Sequence, residues 1–120
     1  MGPSPAWYTP TSGGVIGYLE SLAKLERLEA EIILPAHGPI IEDAAGTIKK
    51  IRDRLLKREA LLKEALHEGS RSFMDLNQAL IQNQLLRFFP GCGITESHLI
   101  KLDMEGIIRR DGRSIIPLTI

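Results

Sequence analysis

Residues 31–43 read EIILPAHGPIIED, a short apolar run followed by a loop with prolines and a glycine. Residues 31–34 have the mixed apolar character of a short strand, which Pro35 ends because proline has no N–H to give a sheet ladder. His37 follows in a loop bracketed by glycine and proline. A short strand that delivers one histidine on such a loop holds a metal ligand rigidly, and it is also an ordinary exit from a strand. The stretch alone leaves both interpretations open.

The order of several short motifs resembles one family of enzymes. LPAHGP at residues 34–39 resembles the motif that carries the last metal-ligating histidine of the metallo-β-lactamase superfamily, in its glyoxalase II-like and lactamase-like branch. YLESLAKL at residues 18–25 resembles the helix that precedes this motif. The later sequence resembles the winged-helix tail of some of these enzymes, and its markers are Arg54, Arg58-Glu59, His98-Leu99, Leu102 and Glu105-Gly106.

The resemblance implies a function with one large reservation. In the family, a two-metal site, with zinc or another divalent metal, activates a hydroxide that attacks an ester, thioester or phosphodiester, and His37 would be one ligand. The main signature, His-x-His-x-Asp-His, is absent, because the only histidines are His37, His67 and His98. The resemblance therefore implies the C-terminal part of a hydrolase, which we expect to be inactive alone and to bind metal only weakly.

The periodicity of apolar residues predicts a mainly α fold with a small β hairpin. It indicates helices at 15–30, 44–68, 72–81 and 96–105, a further short helix within 82–89, and a hairpin at 107–120 that turns at Asp111-Gly112. Thr95 and Ser72 are the expected caps of two of these helices. With the resemblance, the chain divides into a helix–strand remnant of a metallo-β-lactamase fold at 1–45 and a winged-helix domain at 46–120.

Composition restricts the location and the partners of the protein. Lys+Arg and Asp+Glu both number 15, so a zero net charge gives no general reason to expect nucleic acid. The single cysteine, Cys92, suits a reducing compartment, and we predict a cytoplasmic protein without a membrane partner. The expected partner is the missing N-terminal catalytic portion, or a second copy that associates through residues 1–45.

A second class of function stays open at this point. Helix, helix, helix and hairpin in this order are typical of a winged helix, so the chain could be a stand-alone module that binds DNA or a protein. In that case Arg109, Arg110 and Arg113 on the wing would contact phosphate. The third helix, TESHLIKLDMEG, is acidic and poor in the Arg, Lys, Asn and Gln side chains that read bases. His98 is expected to be a surface or packing residue, and neither His67 nor Cys92 has a neighbourhood that predicts catalysis.

Overall fold

The computed structural model describes residues 8–35, 38–81, 84–87 and 91–118. The coarse part of the predicted fold class is confirmed: this part of the chain is mainly helical and has a two-stranded antiparallel hairpin. The elements are a 3-10 turn η1 (Pro10–Ser12), the helices α1 (Gly14–Arg27), α2 (Ala44–His67), α3 (Phe73–Leu80), α4 (Gln84–Leu86) and α5 (Cys92–Met104), and the strands β1 (Ile108–Asp111) and β2 (Ser114–Pro117). None of the described helices is both long and apolar enough to cross a membrane.

Helix α1 ends three residues before the predicted end at residue 30. Leu28 caps it, and Glu29 takes a positive φ of 53° that a helix cannot contain. Leu25 is 41% exposed and Leu28 is 72% exposed, so tertiary packing does not hold a further turn in place. The buried residues of α1 are Gly14, Val15 and Leu22.

Helix α2 begins and ends within a residue of its predicted bounds because both ends carry local signals. The Asp43 side chain caps the first turn by accepting the Gly46 N–H at 3.0 Å. At the other end, Gly69 has a φ of 114°, and the Ser70 N–H donates to the Ala65 carbonyl. Leu55, Leu62 and Leu66 on the inner face of α2 are fully buried.

The predicted strand 31–34 is wrong as a strand and survives as one isolated bridge. Ile33 and Ile41 exchange two main-chain hydrogen bonds of 2.9 Å, and Ala44 donates to the carbonyl of Glu31. Within the described residues of this segment, one residue of each arm is paired, Ile33 with Ile41.

Helix α5 begins at Cys92, ahead of the predicted start at residue 96, and the expected cap by Thr95 is wrong. Thr95 is buried within the helix, where its hydroxyl donates to the Asn77 side-chain oxygen at 2.7 Å. For α3, the predicted cap is confirmed, because the Ser72 hydroxyl accepts the Asp75 N–H at 3.1 Å. Residues 84–86 of the predicted short helix are helical, and its residues 82, 83, 88 and 89 lie outside the described part.

The hairpin forms within the predicted range 107–120, with Asp111 opposite Ser114 and Gly112 at a φ of 59° in the turn. A bridge between Ser72 and Ser114 adds the residues ahead of α3 to the outer side of β2. One core connects the elements: Tyr8, Val15 and Leu22 belong to the same buried cluster as Leu99 and Ile115. Residues on both sides of position 45 therefore share this core, and the division into 1–45 and 46–120 stays a prediction.

Candidate functional site

The predicted metal ligand, His37, lies outside the described residues. The structure describes both arms of its loop, which the Ile33–Ile41 bridge closes, with Gly38 at a φ of 93°. In the described part of the chain, no group of three or more His, Cys, Asp or Glu side chains could hold a metal ion. The ligand role of His37 stays a prediction.

The most unusual chemistry in the structure is a buried polar cluster between the start of the chain, α2 and α5. The Tyr8 hydroxyl lies 2.6 Å from Nε2 of His98, and these two residues are 2% and 1% exposed. Arg58 donates from Nη1 to the same hydroxyl at 3.1 Å, and its guanidinium carbon lies 5.5 Å from the centre of the Tyr8 ring. Tyr8 therefore links α2 to α5 through one oxygen atom.

Burial and neighbouring cations set the charge of this cluster. Burial, together with the positive charges of Arg58 and Lys101, lowers the pKa of His98 to about 3, so the imidazole is neutral at pH 7. Burial raises the pKa of the Tyr8 hydroxyl, although the hydrogen bond from Arg58 opposes this shift. The Nδ1 atom of His98 has no hydrogen-bond partner in the structure as described. A neutral imidazole and a protonated phenol are the states of a packing contact, and no group here is poised to transfer a proton at pH 7.

A second buried charge lies one turn further along α5. Lys101 donates to Glu59 at 2.8 Å and to Glu105 at 3.0 Å, and only 16% of the Lys101 side chain and 9% of the Glu59 side chain are exposed. Burial lowers the pKa of Lys101, but the hydrogen bonds to Glu59 and Glu105 outweigh this effect and raise it overall. The pair ties α2 to α5 and leaves no free charge at this position.

Cys92 is half-buried at the start of α5 and is a free thiol. The Asn77 side-chain amide lies 3.7 Å from its sulfur and also donates to the Arg87 carbonyl at 3.1 Å. Asn77 in turn accepts from Thr95. This network satisfies a buried amide and places no base beside the thiol.

The face of α5 that a winged helix would offer to DNA is covered. Helix α1 and η1 pack directly on α5, and a Cβ on Gly14 would come within 3.2 Å of the Ser97 Cβ. A Cβ on Gly93 would come within 2.7 Å of the Thr9 methyl group. No residue of α5 between residues 94 and 102 is fully exposed. As packed here, α5 cannot enter a groove.

The three hairpin arginines differ in what they contact. Arg110 forms a two-pronged ion pair with Glu96, in which Nη2 lies 2.8 Å from Oε2. Arg109 and Arg113 are exposed, and Arg113 borders an open cleft of about 480 Å³ between the hairpin and the start of α3. Arg110 and Arg113 therefore line the same cleft, and Arg110 is already paired with the carboxylate of Glu96.

The sequence indicates some of these residues, but it does not show that they are in contact. Arg58, Glu59 and His98 appear as markers of the resemblance, while the role of Tyr8 was missed. A tyrosine in a Pro-rich, Ser-rich segment reads as loop, and only the fold shows that its hydroxyl meets His98. His98 was predicted to be a surface or packing residue, and the structure shows the packing alternative, since the side chain is 1% exposed.

Comparison with solved structures shows a similarity of fold. The chain is similar in structure to a metallo-beta-lactamase family protein from Thermus thermophilus, with a TM-score of 0.69 over 87% of this chain at 23% sequence identity. The match takes in 33% of that protein, so this chain spans about a third of its length. No protein-family model matches the chain. At this level of identity the comparison shows the fold alone.

Proposed function

We propose that this chain is the C-terminal part of a metal-dependent hydrolase with a metallo-β-lactamase fold, and that its residues 46–120 form the winged-helix tail of that enzyme. The carrying observation is the structural match of 87% of the chain to a third of the Thermus thermophilus protein. The LPAHGP segment, which lies between the bridged residues Ile33 and Ile41, also supports this proposal, because it resembles the metal-ligand motif of the superfamily. The free thiol of Cys92 suits the cytoplasmic location that we propose.

In the complete enzyme, His37 would bind zinc or another divalent metal together with ligands from the preceding catalytic portion. A stable zinc site needs three or four protein ligands. The described part of this chain contains no group of three or more side chains that could hold a metal ion. The metal would lower the pKa of a bound water and provide the nucleophile for hydrolysis. The tail would shape the substrate entrance or a subunit contact.

The direct test is the genomic sequence upstream of Met1. We expect an in-frame His-x-His-x-Asp-His motif there. In the longer chain, His37→Ala should lower the bound metal and reduce turnover by more than about 100-fold, because even outer-shell changes at metal sites cost about 10–100-fold. His67→Ala is the matched control, since His67 is an exposed histidine at the end of α2. An upstream reading frame without metal-ligand motifs would contradict the proposal.

For the 120-residue chain alone, we expect no metal-dependent hydrolysis. The reason is the incomplete ligand set, since one histidine holds zinc only weakly. Thioesters, lactams and phosphodiesters should be screened with added zinc or manganese. Turnover that His37→Ala abolishes would show that the chain assembles a working site by itself.

The alternative is a stand-alone winged-helix module that binds DNA or a protein partner. Two observations argue against specific DNA binding: the face of α5 is buried, and Arg110 is paired with Glu96. We therefore predict only weak, salt-sensitive binding, with a Kd above about 1 μM at physiological salt, as for non-specific contacts. A mobility-shift titration measures it. Sub-micromolar binding that is lost in Arg109→Ala and Arg110→Ala would favour the DNA-binding module.

A further inference from the structure

The hydrogen bonds at the Tyr8 hydroxyl indicate which nitrogen of His98 carries the proton. Arg58 donates to this hydroxyl at 3.1 Å, and a guanidinium cannot accept a hydrogen bond in return. The hydroxyl therefore directs its own hydrogen toward Nε2 of His98, which lies 2.6 Å away and accepts it. The imidazole hydrogen is then on Nδ1, the buried atom without a hydrogen-bond partner within the described residues. The other tautomer would leave two groups unpaired, Nδ1 and the hydroxyl hydrogen, and burial makes each of them costly.

This arrangement is incompatible with a second proton on His98. A protonated imidazole carries hydrogen on both nitrogens, so Nε2 would change from an acceptor into a donor. The Tyr8 oxygen would then face two donors, and its own hydrogen would lose its acceptor in a buried space. The new charge would also add to the positive charges of Arg58 and Lys101. Protonation of His98 and the hydrogen bond that Tyr8 donates to it therefore exclude each other.

Within the described residues, no carboxylate bonds to His98 and could balance a charge there. The ionisable groups that act on the Tyr8–His98 pair come from three helices: Tyr18 on α1, Arg58 and Glu59 on α2, and Lys101 on α5. Glu59 is the one carboxylate in this set, and it binds Lys101 at 2.8 Å. Tyr18 contributes an edge-on ring contact to Tyr8, with 5.7 Å between the ring centres. A proton on His98 therefore requires that water reach the imidazole.

Water reaches His98 at the lowest cost when the segment that carries Tyr8 departs. This segment continues into η1 and α1, and α1 has three buried residues, whereas α5 has six. The elements that stay are α2, α3, α5 and the hairpin, and fully buried side chains such as Leu62, Leu99 and Ile115 hold them together. Parts of a protein that bury few side chains open at a lower free energy than the whole molecule.

We propose that the contact of Tyr8 with His98 and Arg58 is an acid-sensitive latch: protonation of His98 releases residues 8–27 from α2 and α5, while α2, α3, α5 and the hairpin stay folded. The order of donors and acceptors at two buried side chains supports it, since a single added proton reverses one of the two hydrogen bonds. Release would uncover the face of α5 on which η1 and α1 pack. This inference goes beyond the proposed hydrolase function and does not depend on it.

Hydrogen exchange of the full chain at a series of pH values, corrected for the intrinsic exchange rates, tests the latch. Between about pH 7 and about pH 4.5, the equilibrium constant for opening should rise on the order of 100-fold at the α1 amides of Leu19 and Leu22, because the pKa of His98 is about 3 when buried and 6.5 ordinarily. At each pH these amides should open more readily than those of Leu62 in α2 and Ile115 in β2. Equal opening constants in the two groups would show that the chain unfolds as one unit and would overturn the proposal.

Two further measurements identify His98 as the group that responds. His98→Gln should make the opening of α1 independent of pH over this range, and the matched control His67→Gln should keep the wild-type response, since His67 is exposed. In the wild type, which needs no substitution to fold, the nitrogen NMR chemical shifts of the His98 imidazole at pH 7 should place the hydrogen on Nδ1. A hydrogen on Nε2, or a pH response of α1 that persists in His98→Gln, would contradict the latch.

Discussion

Lowering the pH from about 7 to about 4 is expected to reduce the free energy of unfolding by about 3 kcal/mol through His98 alone. The pKa of His98 is about 3 in the folded protein, because of burial and the positive charges of Arg58 and Lys101, and 6.5 is its ordinary value. Below pH 6.5 the unfolded chain therefore binds a proton that the folded chain rejects. Stability is complete above pH 6.5 and is lost progressively as the pH falls toward about 3.

Urea unfolding at a series of pH values measures this effect. His98→Gln removes the titration while keeping a polar side chain near the Tyr8 hydroxyl, so its stability should depend less on pH between about 6.5 and 4. His67→Gln is the control: His67 is exposed, and its replacement should leave the wild-type slope in place. Equal slopes in His98→Gln and wild type would show that His98 is hydrated and titrates normally.

The elements with local signals were predictable from the sequence. Asp43 and Gly69 fix the two ends of α2, and Asp111-Gly112 fixes the hairpin turn, because caps and tight turns depend on a few adjacent residues. The wrong bounds have a common physical cause. The start of α5 and the end of α1 depend on what packs there, and neither depends on the identity of the nearest capping residue.

The candidate site was predictable only where a motif is contiguous. LPAHGP suggests a ligand role for His37, and this role stays a prediction because His37 lies outside the described residues. The hydrogen bonds between Tyr8, Arg58 and His98 join positions up to 90 residues apart, so no local sequence pattern predicts them. The covering of α5 likewise depends on the close approach of Gly14 to Ser97 and of Gly93 to Thr9, which spacing alone does not reveal.

Replacing Lys101 with methionine is expected to destabilise the fold by about 3–5 kcal/mol, because it leaves a buried carboxylate without its ion-pair partner. Glu59 is the affected group: Lys101 is its partner at 2.8 Å, and the Glu59 side chain is 9% exposed. Lys49→Met is the matched control. Lys49 also bonds a carboxylate, that of Asp53 at 2.6 Å, but these side chains are 74% and 57% exposed. Water replaces a lost partner there, so the expected cost is below about 1 kcal/mol.

The double variant Glu59→Met/Lys101→Met separates the value of the pair from the penalty of breaking it. When both charges are removed, neither member of the pair is left without its partner, and two methionines adapt to the vacated space between α2 and α5. We therefore expect the double variant to recover most of the loss and to fall within about 1–2 kcal/mol of the wild type. Glu105 then loses only an exposed contact. If the double variant is as unstable as Lys101→Met, the pair stabilises the fold itself, and the packing of α5 on α2 depends on the charge.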